Sequence, residues 1–149
     1  MLLLVRGFSF IYTHYMTKII DKLAWLHIKD RKVLFARSTR EPQMFYTVGG
    51  KREEGESDVA ALVREVAEEA NVSLILDTIT HLHSFEGPAH GHGTDTVLKM
   101  TCYTADYEGE LMPSSEIAEL MWLSSADTAH TTEMGNSILT WLREQDLID

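Results

Sequence analysis

The sequence predicts an α+β fold, and three observations carry that prediction. Two segments of helical periodicity, residues 58–70 and 133–148, stand well apart. Several short aromatic and β-branched runs lie before and between them. The two kinds of element do not alternate strictly, which argues against a doubly wound parallel sheet.

Taken in order, "KLAWLHI" and "KVLFARS" flank the polar "KDR" and read as strand, turn and strand. "MFYTV" is a short strand ending at Gly49 and Gly50. Residues 58–70 follow as the clearest helix. With Glu65 at 0° and about 100° per residue, Leu62, Val66, Val59, Ala70, Val63 and Ala67 fall on one apolar stripe. Ser57 is a good N-cap, Asp58 suits the positive end of the helix dipole, and Asn71 tolerates the left-handed exit. "SLILDTITHLHSF" reads as strand, "EGPAHGHGTD" as a loop, and "TVLKMTCYTADY" as strand. A turn, "EGELMPSSE", leads to "AELMWLS", and "EMGNSILTWLREQDLI" closes the chain as a helix with Ile138, Leu139, Trp141 and Leu142 near one face.

The 149 residues are enough for one domain with a genuine core. A net charge of −10 argues against a broad nucleic-acid surface, though an acidic protein binds a polyanion when metal ions stand between them. The one cysteine, Cys102, lies in an apolar run, allows no disulfide within the chain, and suits a reducing cytoplasm. The apolar start "MLLLVRGFSFIYTHYM" is too short and too interrupted by Arg6 for a membrane span. It also lacks the basic n-region and cleavage site of a signal peptide. We expect residues 1–15 to be a non-native or disordered extension and residues 16–149 to be the domain. An intact mass beginning at Met1, in the protein's own organism, would overturn that expectation.

On the helix, Glu65, Glu68 and Glu69 share an arc of roughly 100° opposite the apolar stripe, with Arg64 on its border. Like charges three and four apart repel. A solvated acidic face is the ordinary reading of such an arc. The preceding Gly-Gly turn and the adjacent arginine favour another: carboxylate oxygens arranged for Mg²⁺ or Mn²⁺.

Gly50, Glu56, Arg64-Glu65-Val66, Glu68-Glu69 and Asn71-Val72 have the spacing of the Nudix box, G-x5-E-x7-R-E-U-x-E-E-x-G-U. Residues 50–72 resemble it at every fixed position except Asn71, where that family has glycine. The resemblance implies a Nudix fold, a mixed β-sheet sandwiched between α-helices. It also implies Mg²⁺-dependent hydrolysis of a nucleoside diphosphate linked to another group. Glu65, Glu68 and Glu69 then look like metal ligands, with the carbonyl of Gly49 or Gly50 contributing. Glu65, Arg64 and Glu68 resemble the catalytic set, Glu65 as ligand or base and Arg64 as its orienting residue. Glu56 resembles the structural acid of the loop. Glu116 is the candidate acid beyond the box, with Glu119 second.

Arg37, Arg40, Lys51 and Arg52 lie within sixteen residues of an otherwise acidic chain and are candidates for holding phosphate. Phe45, and beside it Tyr46, Trp25 and Phe85, are candidates for stacking on a base. His81, His83, His90 and His92 do not match a zinc-binding spacing, and the glycine-rich loop bearing the last two suits closure over substrate. The chain is compact, like the MutT-like branch that cleaves (deoxy)nucleoside triphosphates, oxidised ones included, to a monophosphate and pyrophosphate. Pro88, sixteen residues after Val72, instead resembles the ADP-ribose branch, and sugar nucleotides are a related alternative. A nucleotide-sensing module without turnover is the rival of another class. The expected partner is a small nucleotide, with no extended nucleic acid and no membrane, and a homodimer is left open.

Overall fold

The computed structural model describes residues 17–149, so the expectation for residues 1–15 lies outside the described residues. Its frame is a seven-stranded mixed sheet. The strands are β1 (Lys18–Trp25), β2 (Ile28–Lys29), β3 (Lys32–Ser38), β4 (Tyr46–Lys51), β5 (Ser73–Leu74), β6 (Thr80–Pro88), β7 (Thr96–Thr104), β8 (Tyr107–Glu108) and β9 (Ile117–Leu123). The helices are α1 (Asp58–Ala70) and α2 (Glu133–Glu144). The sheet order is β2-β3-β4-β1-β7-β6, with β9 on the other side of β3, while β5 and β8 pair as a separate ribbon. β1 and β7 run parallel, and the other pairs are antiparallel.

Alternation along the strands divides the core into two layers. Ile20 and Ala24 of β1 join Phe35, Cys102, Ile138, Leu139 and Leu142 on the α2 side. Leu23 and Trp25 join Val48, Leu62, Val66 and Ala70 on the α1 side. The two helices therefore cover opposite faces of the sheet. Each large apolar side chain fully buried here contributes on the order of 1.5–3 kcal/mol. Cys102 is buried, and burial pushes its thiol up to about 12, so it serves as a small hydrophobe.

The α1 caps follow the local chemistry. The Ser57 side chain accepts a hydrogen bond from the Ala60 amide, and Asn71 exits at φ 61°, ψ 27°. Several boundaries differ from the sequence expectation. β1 starts at Lys18, four residues earlier than "KLAWLHI", because pairing with β7 extends it from Lys18↔Thr96. The run 73–85 is broken at Leu76–Thr78, where the Thr78 hydroxyl donates to the Ile75 carbonyl at 2.6 Å and accepts from the Asp106 amide at 2.9 Å. β4 continues through both glycines to Lys51, and β6 continues through Gly87 and Pro88, so the loop before β7 holds only residues 89–95. β8 lies at the head of the segment read as a turn. α2 ends at Glu144, not near 148, because Asp146 turns left-handed at φ 58°.

Candidate active site

A cavity of about 250 Å³ opens at the junction of β1, β4 and the start of α2. Glu69 and Glu116 stand on one side of it, beside Gly49 and Gly50. Ile20, Leu98, Met100 and Met134 line the apolar part, with Tyr46 and His90 also on the wall.

α1 places the box acids by its period. Leu62 and Val66 anchor its buried stripe, which turns Glu65 and Glu69 towards β4. Gly50 makes room for Glu65: a Cβ there would lie 2.5 Å from the Glu65 carboxyl carbon. Gly49 is needed for the fold instead, since it sits at φ 147° and a Cβ would lie 2.0 Å from the Leu23 carbonyl oxygen. Arg64 holds the loop and the helix together. It donates to Glu56 from Nε at 2.9 Å and Nη2 at 2.8 Å, to the Lys51 carbonyl at 3.1 Å, and to Glu65 at 3.0 Å. Glu68 is farther from Arg64, at 3.5 Å, and more than half exposed. Glu56 also accepts from the Glu53 amide at 2.7 Å. The Arg64 fork, aided by that amide, holds Glu56 down at about 2.

Electrostatics mark Glu69 as the costliest acid. Burial, then Glu65 and Glu116, push it up to about 8, against a hydrogen bond from the Gly49 backbone and the pull of Lys22. Burial likewise raises Glu65, with Arg64 opposing and Glu68 and Glu116 adding to the rise. These three carboxylates thus repel one another across a partly dry site. Glu116, rather than Glu119, is the acid from β9's approach that faces them, because Glu119 is bound to Arg37 at 2.9 Å.

The sequence-predicted cations do not all gather here. Arg37 forks onto Glu119, and Arg52 is held by Asp21 and Asp58, the latter also accepting from Tyr103 at 2.7 Å. Arg40 is exposed, with its amide donating to Ser38. Lys51 is exposed at the end of β4, directly beside the box. Phe45 packs against the α2-side core, and Trp25 is fully buried. Phe85 packs edge-on to Trp141, and Tyr46 is the aromatic that lines the cavity. The histidines separate: His83 stacks on Trp141 at 4.3 Å and His81 bonds Ser84, whereas His90 and His92 face the cavity.

Sequence reasoning missed Lys22. It sits half-buried in the cavity, between Ile20 and Ala24 on the inward side of β1. A lysine that interrupts an inward-facing apolar alternation was the available signal.

The donor set of Glu65, Glu68, Glu69, Glu116 and a glycine carbonyl is oxygen only, which fits a hard divalent cation. Among the described residues no three acidic, imidazole or thiol side chains are drawn together as a closed cage. Glu65 accepts from Arg64 at 3.0 Å, and Glu69 accepts a hydrogen bond from the Gly49 backbone.

A mixed sheet between two helices thus carries an arginine-braced set of acids beside a half-apolar cavity. The NUDIX domain profile matches residues 23–143, and the chain belongs to that family, whose hydrolases generally use divalent metal ions. A search of curated proteins returned no match. Among solved structures the chain is similar to the E. coli ORF135 protein, with a TM-score of 0.67, 24% identity, and 89% of this chain and 96% of that one covered. It is also similar to a MutT NUDIX hydrolase from Burkholderia pseudomallei, with a TM-score of 0.67, 20% identity and coverage of 82% and 95%. A third similar structure is a bifunctional NMN adenylyltransferase/ADP ribose pyrophosphatase from Francisella tularensis, complexed with AMP and a manganese ion. It gives a TM-score of 0.64 at 17% identity, with 87% of this chain and 42% of that one covered. At these identities the likeness shows the fold.

Proposed function

We propose that the protein is a Mg²⁺-dependent hydrolase of (deoxy)nucleoside triphosphates, oxidised ones included, releasing a nucleoside monophosphate and pyrophosphate. The observation that carries this reading is Glu69 and Glu116 on one side of a half-apolar cavity, with Glu65 against Gly50 of its wall. The cavity, at about 250 Å³, lies below the roughly 300–1,000 Å³ usual for drug-sized ligands. It suits one base and sugar better than a nucleoside with a second sugar beyond the diphosphate, which favours a triphosphate over ADP-ribose or a sugar nucleotide.

Glu65, Glu68, Glu69 and Glu116, with the Gly49 or Gly50 carbonyl, would hold Mg²⁺, and Mn²⁺ suits the same oxygens. When bound, the ion neutralises phosphate charge and acidifies a coordinated water. Glu65 takes the proton of the attacking water, and Arg64 keeps the Glu65 carboxylate oriented by its 3.0 Å bond. Lys51 supplies an exposed cation beside the box, and Tyr46 supplies an aromatic face to the base. Glu56 takes no proton and serves to fix Arg64.

No helix among the described residues is long and apolar enough to cross a membrane. We place the protein in the cytoplasm as one domain over residues 16–149, acting on small nucleotides. A homodimer is the assembly to test by light scattering. The functional test is product release from deoxynucleoside triphosphates, 8-oxo-dGTP, ADP-ribose and sugar nucleotides with Mg²⁺, run beside Glu68→Gln. Pyrophosphate release lost in the variant is expected. AMP with ribose phosphate would move the assignment to the ADP-ribose branch, and nucleotide binding without turnover would make the protein a sensor.

A further inference from the structure

We infer that Lys22 is a phosphate-holding residue of this site, pairing with Lys51 to grip the substrate's phosphates on the side away from the glutamates. This rests on the functional reading above. β1 and β4 pair in the register Lys22↔Lys51, and directly opposed residues of an antiparallel pair project from the same face of the sheet. That face is the one carrying Ile20 and Ala24; Lys22 lines the cavity, and Lys51 is exposed next to Gly50, which lines it too.

Two ammonium groups side by side repel, and Lys22 is half-buried. Neither Lys22 nor Lys51 belongs to any ion pair among the described residues, although arginines nearby are tied to partners. A half-buried cation without a bonded anion leaves a desolvation cost uncompensated. The charges facing Lys22 are Lys51 from β4, Glu69 and Glu65 from α1, and Glu41 from the segment before β4. The glutamates attract it only at a distance. The cavity has Lys22 on one wall and Glu69 and Glu116 on another. A diphosphate whose oxygens are shared between metal ions and ammonium groups satisfies both sides at once. In this arrangement Lys22 is a contact for ligand phosphate and not a counter-ion dedicated to Glu69.

The two roles differ in sign. Lys22→Met keeps a long side chain that suits neighbouring Met100 and Leu98, and Lys22→Arg keeps the charge. Calorimetry would measure Mn²⁺ binding to each variant, and then inorganic pyrophosphate binding to the Mg²⁺-loaded protein. We expect Lys22→Met to weaken pyrophosphate by about tenfold or more, the loss of one charge-assisted hydrogen bond. Mn²⁺ should bind as well or better, because a nearby positive charge has gone. Lys22→Arg should recover most of the pyrophosphate affinity. Pyrophosphate affinity unchanged in Lys22→Met overturns the inference, and so does an equal weakening of Mn²⁺ and pyrophosphate, which marks a structural role. A wild-type protein that binds no pyrophosphate at all would overturn the functional reading together with this one.

Discussion

At the scale of single residues, the adjacent glycines do separate jobs that a substitution can distinguish. A Cβ on Gly49 would meet backbone, the Leu23 carbonyl, on a strand that cannot move without unzipping β1 from β4. Gly49→Ala should therefore cost about 3 kcal/mol or more of stability, read by denaturant titration. A Cβ on Gly50 first meets the end of the Glu65 side chain, which can swing aside. Gly50→Ala should leave the melting temperature within a few degrees and lower turnover by about a hundredfold, since misplacing a reacting group by an ångström costs that much. Equal losses of stability in both variants would refute this division. The spacing of the box made Gly50, Arg64, Glu65, Glu68 and Glu69 legible in the sequence, because all lie within one strand end and one helix. The fates of Arg37 and Arg52 were not legible. Arg37 meets Glu119, 82 positions later, and Arg52 meets Asp21, 31 positions earlier, so their charges are spent through tertiary pairing that no local pattern encodes.

At the scale of the element, the loop from Arg52 to Ser57 and the helix α1 behave as one unit because Arg64 binds Glu56 through two nitrogens and the Lys51 carbonyl through one. Glu56 is held at about 2, below its ordinary 4.5, by that fork first and by the Glu53 amide second. A depressed carboxylate contributes stability that is present above pH 4.5 and lost as the pH falls towards about 2. Glu56→Gln should flatten the stability decline across that window, measured by urea titrations at a series of acidic pH values. A slope identical to wild type would show that the pair does not couple to folding. The period of α1 and its Ser57 cap could be read in advance because helix signals are local. Strand ends could not: β1 begins where β7 offers partners, and β6 runs through Pro88 on a sheet edge, where a missing amide costs no ladder bond. The two-residue strands β5 and β8 exist only as each other's partners, and neither carries a pattern of its own.

At the scale of the whole molecule, the site is a place where the fold gives up stability. Burial of Glu69 beside Glu65 and Glu116 raises its proton affinity because the charged form is poorly accommodated. A bound divalent cation turns the same repulsion into attraction, and any ligand of the folded state stabilises it by mass action. At about 100 times its Kd, Mg²⁺ or Mn²⁺ should contribute about 2.7 kcal/mol. For a chain of this size that is a rise of roughly 5–10 °C in the melting temperature. Salt of equal ionic strength without a divalent ion should not reproduce it, because exposed pairs are screened while the half-buried cluster is not. Glu69→Gln separates the two effects. Without metal and near pH 7 the variant should melt a few degrees above wild type, since Glu69, raised to about 8, must take up a proton on folding and the amide need not. With saturating metal it should gain little, and the order of the two proteins should reverse. A variant that is less stable in both conditions would mean that Glu69 supports the fold through its hydrogen bond from Gly49 and not the site through its charge. The inverted order is what a carboxylate retained for chemistry at the expense of packing requires.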